Sequence, residues 1–422
     1  MLFSRVLAGS DLTCHQCDEI HPVCRNCTKH GVSCDFEDAE SSKPSPKGQL
    51  PASPTPSARP PKAARPQSPR EVMRASLHPA ASRALELRLL HNYTALTAST
   101  FSDKPDQTAA WQLNVPALAY HAEYLMDAIL AISALHLRAL HPADQTLVRA
   151  SHGYMASALA QYSTLLRDGV SEHNAEALFA TATLIAFQSS ASRLFDDSDE
   201  GYVLPVAWFH AYQGIKTVVI ASWQWLRNSN RIQPIISGQP SLSLDLHPDK
   251  KTFFATILDG MEDQLSAEAE ETRAETRQAY QHAIAFLNWA HQKPERERII
   301  AFAATVSRRF VSLIGDGDRR ALVITACFFA MTGVVDDVWW LRGIAKKEVN
   351  GIYALLPPEW LAKMEWPMRV ANHEGPMDDE TWGASNWSNQ ERDANGEMTE
   401  SVRTHIDLLT ELMSEATQIP PD

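Results

Sequence analysis

The sequence predicts an all-α protein, in which a multi-helix body follows a small cysteine-rich head and a disordered linker. Leucine, alanine and aromatic residues recur at helical spacing from about residue 80 onward. No series of alternating strands appears, and no repeat of roughly 20–50 residues stands out. With 44% apolar and 21% charged residues, the chain has the composition of a protein that buries a core.

Proline and glycine divide the body into about ten predicted helices. Stop signals occur at 141–142, 168–169, 315–317 and 357–358. The nearly all-apolar stretch 117–140 predicts a central helix, because an apolar surface all round a helix indicates burial. Further helices are predicted over 145–168, 174–190, 205–228, 252–292, 297–314, 319–333, 337–356, 359–370 and 399–416.

For three stretches of the body, the sequence allows more specific structural predictions. The charge-dense residues 262–277 predict a solvated helix face. The polar residues 373–400, which include Trp382, predict a loop, with an acidic and aromatic activation segment as the alternative. The first helix should bury one face, formed by Leu85, Leu89, Tyr93 and Leu96.

The charge and the apolar runs exclude two classes of protein. A net charge of −13 and a pI of about 5.7 exclude a chain that is basic throughout, so any nucleic-acid contact must be confined to a local patch. The longest strongly apolar run, 321–335, is shorter than the roughly 20 residues of a membrane span and predicts a buried helix. The first ten residues lack the apolar core of a secretory signal.

All but one of the six cysteines lie close together near the start of the sequence, and Cys327 is isolated in the body. Two C-x2-C pairs separated by six residues supply four thiolates, the number that a tetrahedral zinc site takes. A tail without metal and a redox cluster are the alternatives. The candidate metal ligands are Cys14, Cys17, Cys24, Cys27 and Cys34.

Residues 41–70 contain nine prolines, six Lys or Arg, no acid and no aromatic residue. Such a segment cannot bury enough apolar surface to offset its chain entropy, so we predict a disordered linker that extends to residue 80. Its basic side chains could attract nucleic-acid phosphates, although a solvated spacer is the simpler interpretation.

The stretch from Cys17 through Cys34 resembles the second half of the fungal Zn2Cys6 binuclear cluster. It keeps the spacing of the third to sixth family cysteines, and Pro22 fits the family's linker between the two halves. The resemblance implies that an intact cluster of six cysteines holds two zinc ions. It also implies that a short helix from the first half enters the DNA major groove.

The first half of the cluster departs from the family pattern. Leu7 and Ser10 stand at the positions of the first two cysteines, and residues 8–16 contain no Lys or Arg where the family has a basic run. We expect that a further coding segment supplies both features, which would give two zinc ions. The alternative is a truncated regulator that holds about one zinc and has no DNA reader of its own.

The body resembles the regulatory domain of fungal transcription factors, in the sterol-uptake-control branch, over roughly residues 83–370. ELRLLHNYTALTASTFS near its start and the stretch from Arg319 to Pro367 carry this likeness. The resemblance implies an apolar pocket whose sterol occupancy controls nuclear activity. Ordinary core packing is the alternative for the large residues that could line such a pocket, and also for Trp208, Trp223 and Trp225. The candidate ligand-binding residues are Phe328, Phe329, Met331, Trp339 and Trp340.

We predict a zinc-dependent, sequence-specific DNA-binding regulator of RNA polymerase II transcription. It would act in the nucleus, with shuttling to the cytoplasm, and its partners would be DNA, the transcription machinery and an apolar effector. A truncated regulatory or protein-interaction module without DNA binding is the alternative. No catalytic motif appears, so we expect no catalytic residue and no enzyme, and a helical enzyme is a remote third reading. The expected segments are 1–40 (zinc module), 41–80 (linker), 81–370 (helical regulatory domain) and 371–422 (polar loop and C-terminal helix).

Overall fold

The computed structural model describes residues 79–195, 201–237, 252–266 and 269–383. All of them belong to one compact unit. Every regular element in these ranges is helical, which confirms the all-α prediction. The cysteine-rich head, the linker and the predicted helix 399–416 lie outside the described residues.

The first half of the described body is built around one apolar helix, Glu123–Leu140 (α4). Its side chains are buried on nearly all sides, as predicted, and it packs against the two helices that follow it. The elements in order are α1 Pro79–Asn92, a π-helical turn Tyr93–Thr97, a 3₁₀ turn Ala98–Thr100, α2 Pro105–Ala109, a second π-helical turn Ala110–Asn114, α3 Val115–Ala119, α4, α5 Gln145–Asp168, α6 Ala175–Ser192 and a 3₁₀ turn Arg193–Phe195.

The second half surrounds another buried helix, Arg319–Thr332 (α13), in which every residue after Arg319 is buried. The run 321–335 is therefore buried through Thr332, as predicted, and it continues through the half-buried Gly333 and Val334 to the buried Val335. The remaining elements are α7 Val206–Leu226, α8 Gln233–Ser237, a 3₁₀ turn Ala255–Leu258, α9 Met261–Leu265, α10 Glu270–Gln292, α11 Arg296–Thr305, α12 Arg308–Gly315, a 3₁₀ turn Gly333–Val335, α14 Ile344–Leu355, a 3₁₀ helix Pro358–Met364, α15 Glu365–Ala371 and α16 Asp379–Trp382.

Ten of the α-helices in the described ranges are eight or more residues long, in agreement with the predicted number. None of these described helices combines the length and the apolar composition that crossing a bilayer requires. The bounds of α5 match the predicted helix, because Asp144 caps its first turn by accepting from Thr146 N at 2.9 Å. Gly169 ends it with a φ of 106°.

Two predicted ranges change character along their length: 117–140 becomes one helix only from Glu123, and 359–370 is the 3₁₀ helix up to Met364 and α-helical after it. Three others are wrong in their bounds, each for a local reason. The range 252–292 is interrupted, because Gly260 adopts a left-handed φ of 74° before α9 begins. The range 297–314 is split after α11, where Val306 is extended and the Ser307 hydroxyl caps α12. The last of the three, 337–356, begins late, since Gly343 has a φ of 78° and α14 starts after it.

The first predicted apolar face is correct for three of its four residues. Leu85, Leu89 and Tyr93 are buried, but Leu96 is 54% exposed. The chain winds with a wider, π-helical turn from Tyr93 onward, so the 3.6-residue period no longer brings Leu96 to the buried face.

Candidate effector site

The five predicted metal ligands all lie in the head, outside the described residues. Within the described ranges, no group of three or more His, Cys, Asp or Glu side chains is placed to hold a metal ion. The candidate site that the structure does describe is a cleft in the second half of the body.

Two of the predicted pocket residues, Phe328 and Phe329, belong to a packed aromatic core between α7, α11 and α13. The ring of Phe328 stacks on Phe302 at 4.8 Å between centroids, and Phe329 meets the edge of Trp208 at 5.2 Å. Trp208 and Met331 are fully buried in the same region. The indole Nε1 of Trp208 is buried with no hydrogen-bond partner among the described residues.

Trp339 and Trp340 lie in the turn after α13 and pack against the first half of the body. The Nε1 groups of Trp339 and Trp340 both donate to Thr100, at 3.1 Å from its hydroxyl and from its carbonyl oxygen, respectively. Trp339 also stacks on His136 at 4.6 Å. The five predicted residues thus divide between two places, and none of them lines either cavity described below. Trp223 and Trp225 are half-buried on α7.

A polar cavity of about 300 Å³ opens where α13 begins. Arg320 forms its inner wall and is only 2% exposed. Its guanidinium donates to the Ile257 and Asp259 carbonyls and to Oε1 of Gln264 at 3.0 Å. Burial lowers the pKa of this guanidinium. The lining residues are Asp259, Gly260, Gln264, Asp318, Arg319, Arg320, Glu359, Trp360 and Lys363.

A second hydrogen-bond network fixes the floor of the polar cavity. Asp318 accepts from the Tyr280 hydroxyl and from Nε2 of Gln264, both at 2.8 Å. It also caps α13 by accepting from Ala321 N at 2.8 Å. Burial and the adjacent Asp318 carboxylate raise the pKa of Tyr280, so its hydroxyl stays protonated and keeps donating. The polar groups of this cavity are therefore largely used within the protein.

An apolar cavity of about 220 Å³ lies beside the polar one. The thiol of Cys327, 1% exposed and unpaired, borders it. Burial raises the pKa of this thiol, so it is neutral at physiological pH. The other apolar lining residues are Phe253, Phe254, Ile257, Trp366 and Pro367, and the rim is formed by Thr256, Ala362, Lys363, Glu365 and Arg369.

Lys363 borders both cavities. Its Nζ donates to the Thr256 carbonyl at 2.5 Å. Partial burial, together with the nearby charge of Arg320, lowers its pKa, and Asp259 acts in the opposite direction. The two cavities meet at this shared lining residue, and we call them together the Lys363 cleft, with an apolar end and a polar end.

Aromatic stacking holds the outer wall of the apolar cavity. Phe253 stacks on His291 at 4.3 Å, and the ring of Trp382 stacks on His291 at 4.6 Å. His291 Nε2 donates to the Trp382 carbonyl at 2.9 Å, and Trp366 Nε1 donates to the same oxygen at 3.0 Å. Trp382, which we had placed in a polar loop, is thus buried at the end of α16 and supports the cleft.

Sequence reasoning did not select Lys363, Phe253 or Trp366 as site residues. The one residue in the sequence that could have pointed to the cleft is Cys327, which directly precedes the predicted ligand-binding residue Phe328. Adjacent residues point about 100° apart on a helix, so the same buried helix presents Cys327 to the cleft and Phe328 to the aromatic core.

Comparison with known proteins shows which class of protein this chain belongs to. Residues 88–200 match the Fungal specific transcription factor domain, which fits the helical architecture of a fungal transcription regulator. A Zn(2)-C6 fungal-type transcription factor of Gibberella zeae is 40% identical to this chain, and the alignment covers 96% of the chain and 92% of that relative. The chain belongs to the Zn(2)-C6 fungal-type transcription factors.

Two further relatives are more distant. The Zn(2)-C6 fungal-type transcription factor afumD of Aspergillus fumigatus is 26% identical over 73% of this chain and 79% of its own length. Sterol uptake control protein 2 of Candida albicans is 27% identical over 62% of this chain and 39% of its own length. These matches confirm the family resemblance stated from the sequence.

Proposed function

We propose that this chain is a zinc-dependent, sequence-specific DNA-binding regulator of RNA polymerase II transcription that acts in the nucleus. The observation that carries the proposal is the unbroken Zn2Cys6 spacing from Cys17 to Cys34 in a chain that belongs to this family. The proposed partners are DNA, the transcription machinery and an apolar effector of the helical body. Shuttling between nucleus and cytoplasm would let such an effector control access to DNA.

Zinc would be held by thiolates of the head. The ligands proposed are Cys17, Cys24, Cys27 and Cys34, with Cys14 as a further thiolate. Because a short polar segment has no core of its own, zinc binding would supply its folding free energy. Four to five thiolates are enough for about one zinc ion, whereas the two zinc ions of the full cluster need further cysteines.

The segment plan follows the same proposal. Residues 1–40 would form the zinc module, 41–80 the linker, 81–370 the regulatory domain, and 371–422 a polar segment with a C-terminal helix. The linker's lysines and arginines would add a salt-dependent attraction to DNA phosphates.

Zinc analysis and a gel shift test the proposal together. The purified full chain should carry about one zinc per chain, and Cys24→Ser should lower that content. Cys327→Ala is the matched control, because this cysteine lies in the body, and its zinc content should not change. A form extended at the amino end with the two missing cysteines and the basic run should hold two zinc ions and shift DNA at low salt.

A regulatory module without DNA binding is the second candidate, and the absence of Lys and Arg from residues 8–16 favours it. It predicts that neither this chain nor the extended form shifts DNA, even when both are loaded with zinc. DNA binding by the extended form alone would contradict this second candidate and show that DNA binding needs the first half of the cluster.

The effector of the helical body is proposed to be a sterol or another apolar molecule. Sterol uptake control proteins among the relatives support this. Direct titration of the full chain with ergosterol tests it, and the absence of saturable binding would contradict it.

A further inference from the structure

We propose that the Lys363 cleft binds a small amphipathic carboxylic acid, whose apolar body fills the cavity beside Cys327 and whose carboxylate is held by the Lys363 ammonium. The inference rests on the proposed effector role of the helical body, and it gives that role to a charged, amphipathic ligand in place of a purely apolar one. It differs from a sterol effector in size and in charge.

The size of the apolar end sets the size of the ligand. A dry cavity of about 150 Å³ lined by apolar side chains is known to hold benzene, so about 220 Å³ accommodates one ring with a short chain. The four fused rings of a sterol exceed this volume and would extend out of its open side. The faces of Phe254 and Trp366, whose rings meet edge to face at 5.0 Å, provide a rigid apolar surface for a ring.

The basic side chains at the rim of the apolar cavity determine which polar head group the ligand carries. Arg369 is engaged by Glu365 at 3.3 Å, and Arg320 already donates to three acceptors. Lys363 donates only to the Thr256 carbonyl among the contacts of the described residues, and none of their carboxylates lies within ion-pair distance of it. An ammonium has three donors, so two remain to be used.

The acids of the cleft are divided between its two ends. Asp318 lies on the polar side, whereas Glu365 lies at the rim of the apolar cavity, where it pairs with Arg369 at 3.3 Å. Asp259 and Glu359 line the polar cavity and not the apolar one. They would repel an anion that entered the polar cavity, so the favourable position for a carboxylate is the boundary at Lys363. A partly desolvated ammonium gains most from a charged acceptor, since charge-assisted hydrogen bonds are stronger than neutral ones.

Three probes with the same apolar body test the head group. The zinc-loaded full chain is titrated by calorimetry with phenylpropionate, phenylpropanol and phenylpropylamine. We expect phenylpropionate to bind with a Kd below about 1 mM. Phenylpropanol should bind about ten-fold more weakly, and phenylpropylamine should be weaker still.

Three variants locate the site. Lys363→Met keeps the apolar stem and removes the charge, so phenylpropionate binding should weaken about ten-fold while phenylpropanol binding stays unchanged. Ala362→Trp places a large ring at the exposed rim and should abolish binding of both probes. Lys346→Met, at an exposed position of α14 away from the cleft, is the matched control and should bind phenylpropionate normally.

Two results would overturn the inference: phenylpropionate that binds no more tightly than phenylpropanol, or a Lys363→Met variant with unchanged affinity for the acid. Saturable ergosterol binding without phenylpropionate binding would also overturn it while leaving the proposed function intact. Phenylpropionate binding in a chain that never binds DNA would support the inference and contradict the DNA-binding proposal.

Discussion

The guanidinium of Arg193 and the carboxylate of Glu348 form a two-point ion pair inside the body. Nε lies 2.7 Å from Oε1 and Nη2 lies 2.8 Å from Oε2. Tyr202 donates to the same carboxylate at 2.7 Å, and Glu348 is fully buried. This pair ties the end of α6 to α14, which are 155 residues apart in the sequence.

Glu348→Gln should destabilise the chain by about 3–5 kcal/mol, because it removes the buried carboxylate that accepts from both Arg193 and Tyr202. Urea denaturation measures this loss. The exposed pair Arg369–Glu365 provides the control, and Arg369→Met should cost less than about 1 kcal/mol. If Arg193→Met combined with Glu348→Met proves less stable than Glu348→Gln alone, the Arg193 charge that remains in Glu348→Gln is not the cause of the loss.

Gly351→Ala should destabilise the chain, although alanine normally stabilises a helix. A Cβ at Gly351 would overlap the ring of Tyr202. The ring would have to move, and its hydrogen bond to Glu348 would be lost. We expect a loss of about 1–3 kcal/mol in the free energy of unfolding, which overpacking typically costs.

Gly214 in α7 is the matched control for that substitution. A Cβ there meets nothing within 4 Å, so Gly214→Ala should raise the stability by up to about 1 kcal/mol. Tyr202→Ala should remove the penalty of Gly351→Ala in the double variant. Equal and stabilising effects of alanine at both glycines would contradict the close approach of Tyr202.

Acid should destabilise the body through two buried histidines. Burial lowers the pKa of both His136 and His291 from 6.5 to about 4. The unfolded chain therefore takes up protons below pH 6.5 while the folded chain does not, so stability is full above pH 6.5 and falls as the pH drops toward 4. For His291 alone the loss is on the order of 3 kcal/mol.

The melting temperature between pH 7.5 and 4.5 at constant ionic strength measures this effect. His291→Gln should flatten the dependence on pH below 6.5, while His121→Gln, at an exposed position, should leave it unchanged. A wild-type melting temperature that rises on acidification in this window would show that burial does not keep these imidazoles neutral.

Trp382→Ala should destabilise the outer wall of the Lys363 cleft. The substitution removes the stack on His291 and the hydrogen bond from the indole Nε1 to the His291 carbonyl at 3.2 Å. We expect a loss of about 3–5 kcal/mol by urea denaturation, and about 1 kcal/mol for Trp382→Phe, which keeps a ring. Wild-type stability of Trp382→Ala would show that α16 does not brace the cleft.

Much of the fold could be predicted because apolar periodicity reports burial directly. The central helix and the run 321–335 were found this way, since a fully apolar surface has few alternatives to the interior. Leu96 was misplaced because a π-helical turn changes the period, and no residue type in 93–97 announces such a turn. Trp382 was misplaced because its polar neighbours hide a contact with His291 that lies 91 residues away in the sequence.

The cleft was harder to predict than the fold. Its lining comes from three distant segments around Phe253, Cys327 and Trp366, and only their packing brings them together. The large residues next to Cys327 drew attention because bulk suggests a pocket. In the structure, the large ring of Phe328 fills the space around it, whereas the smaller Cys327 thiol leaves room for the cavity.

Because α13 is enclosed on every side, it forms a partition between the cleft and the aromatic core. The Cys327 side chain faces the apolar cavity, and the ring of the adjacent Phe328 stacks on Phe302 in the aromatic core. A close-packed protein interior has a low compressibility. If a ligand widened the apolar cavity beside Cys327, α13 would therefore shift as a rigid body. The rings of the aromatic core on the other side of α13 would then have to move. A small displacement at the cleft would in this way cause a rearrangement in the aromatic core.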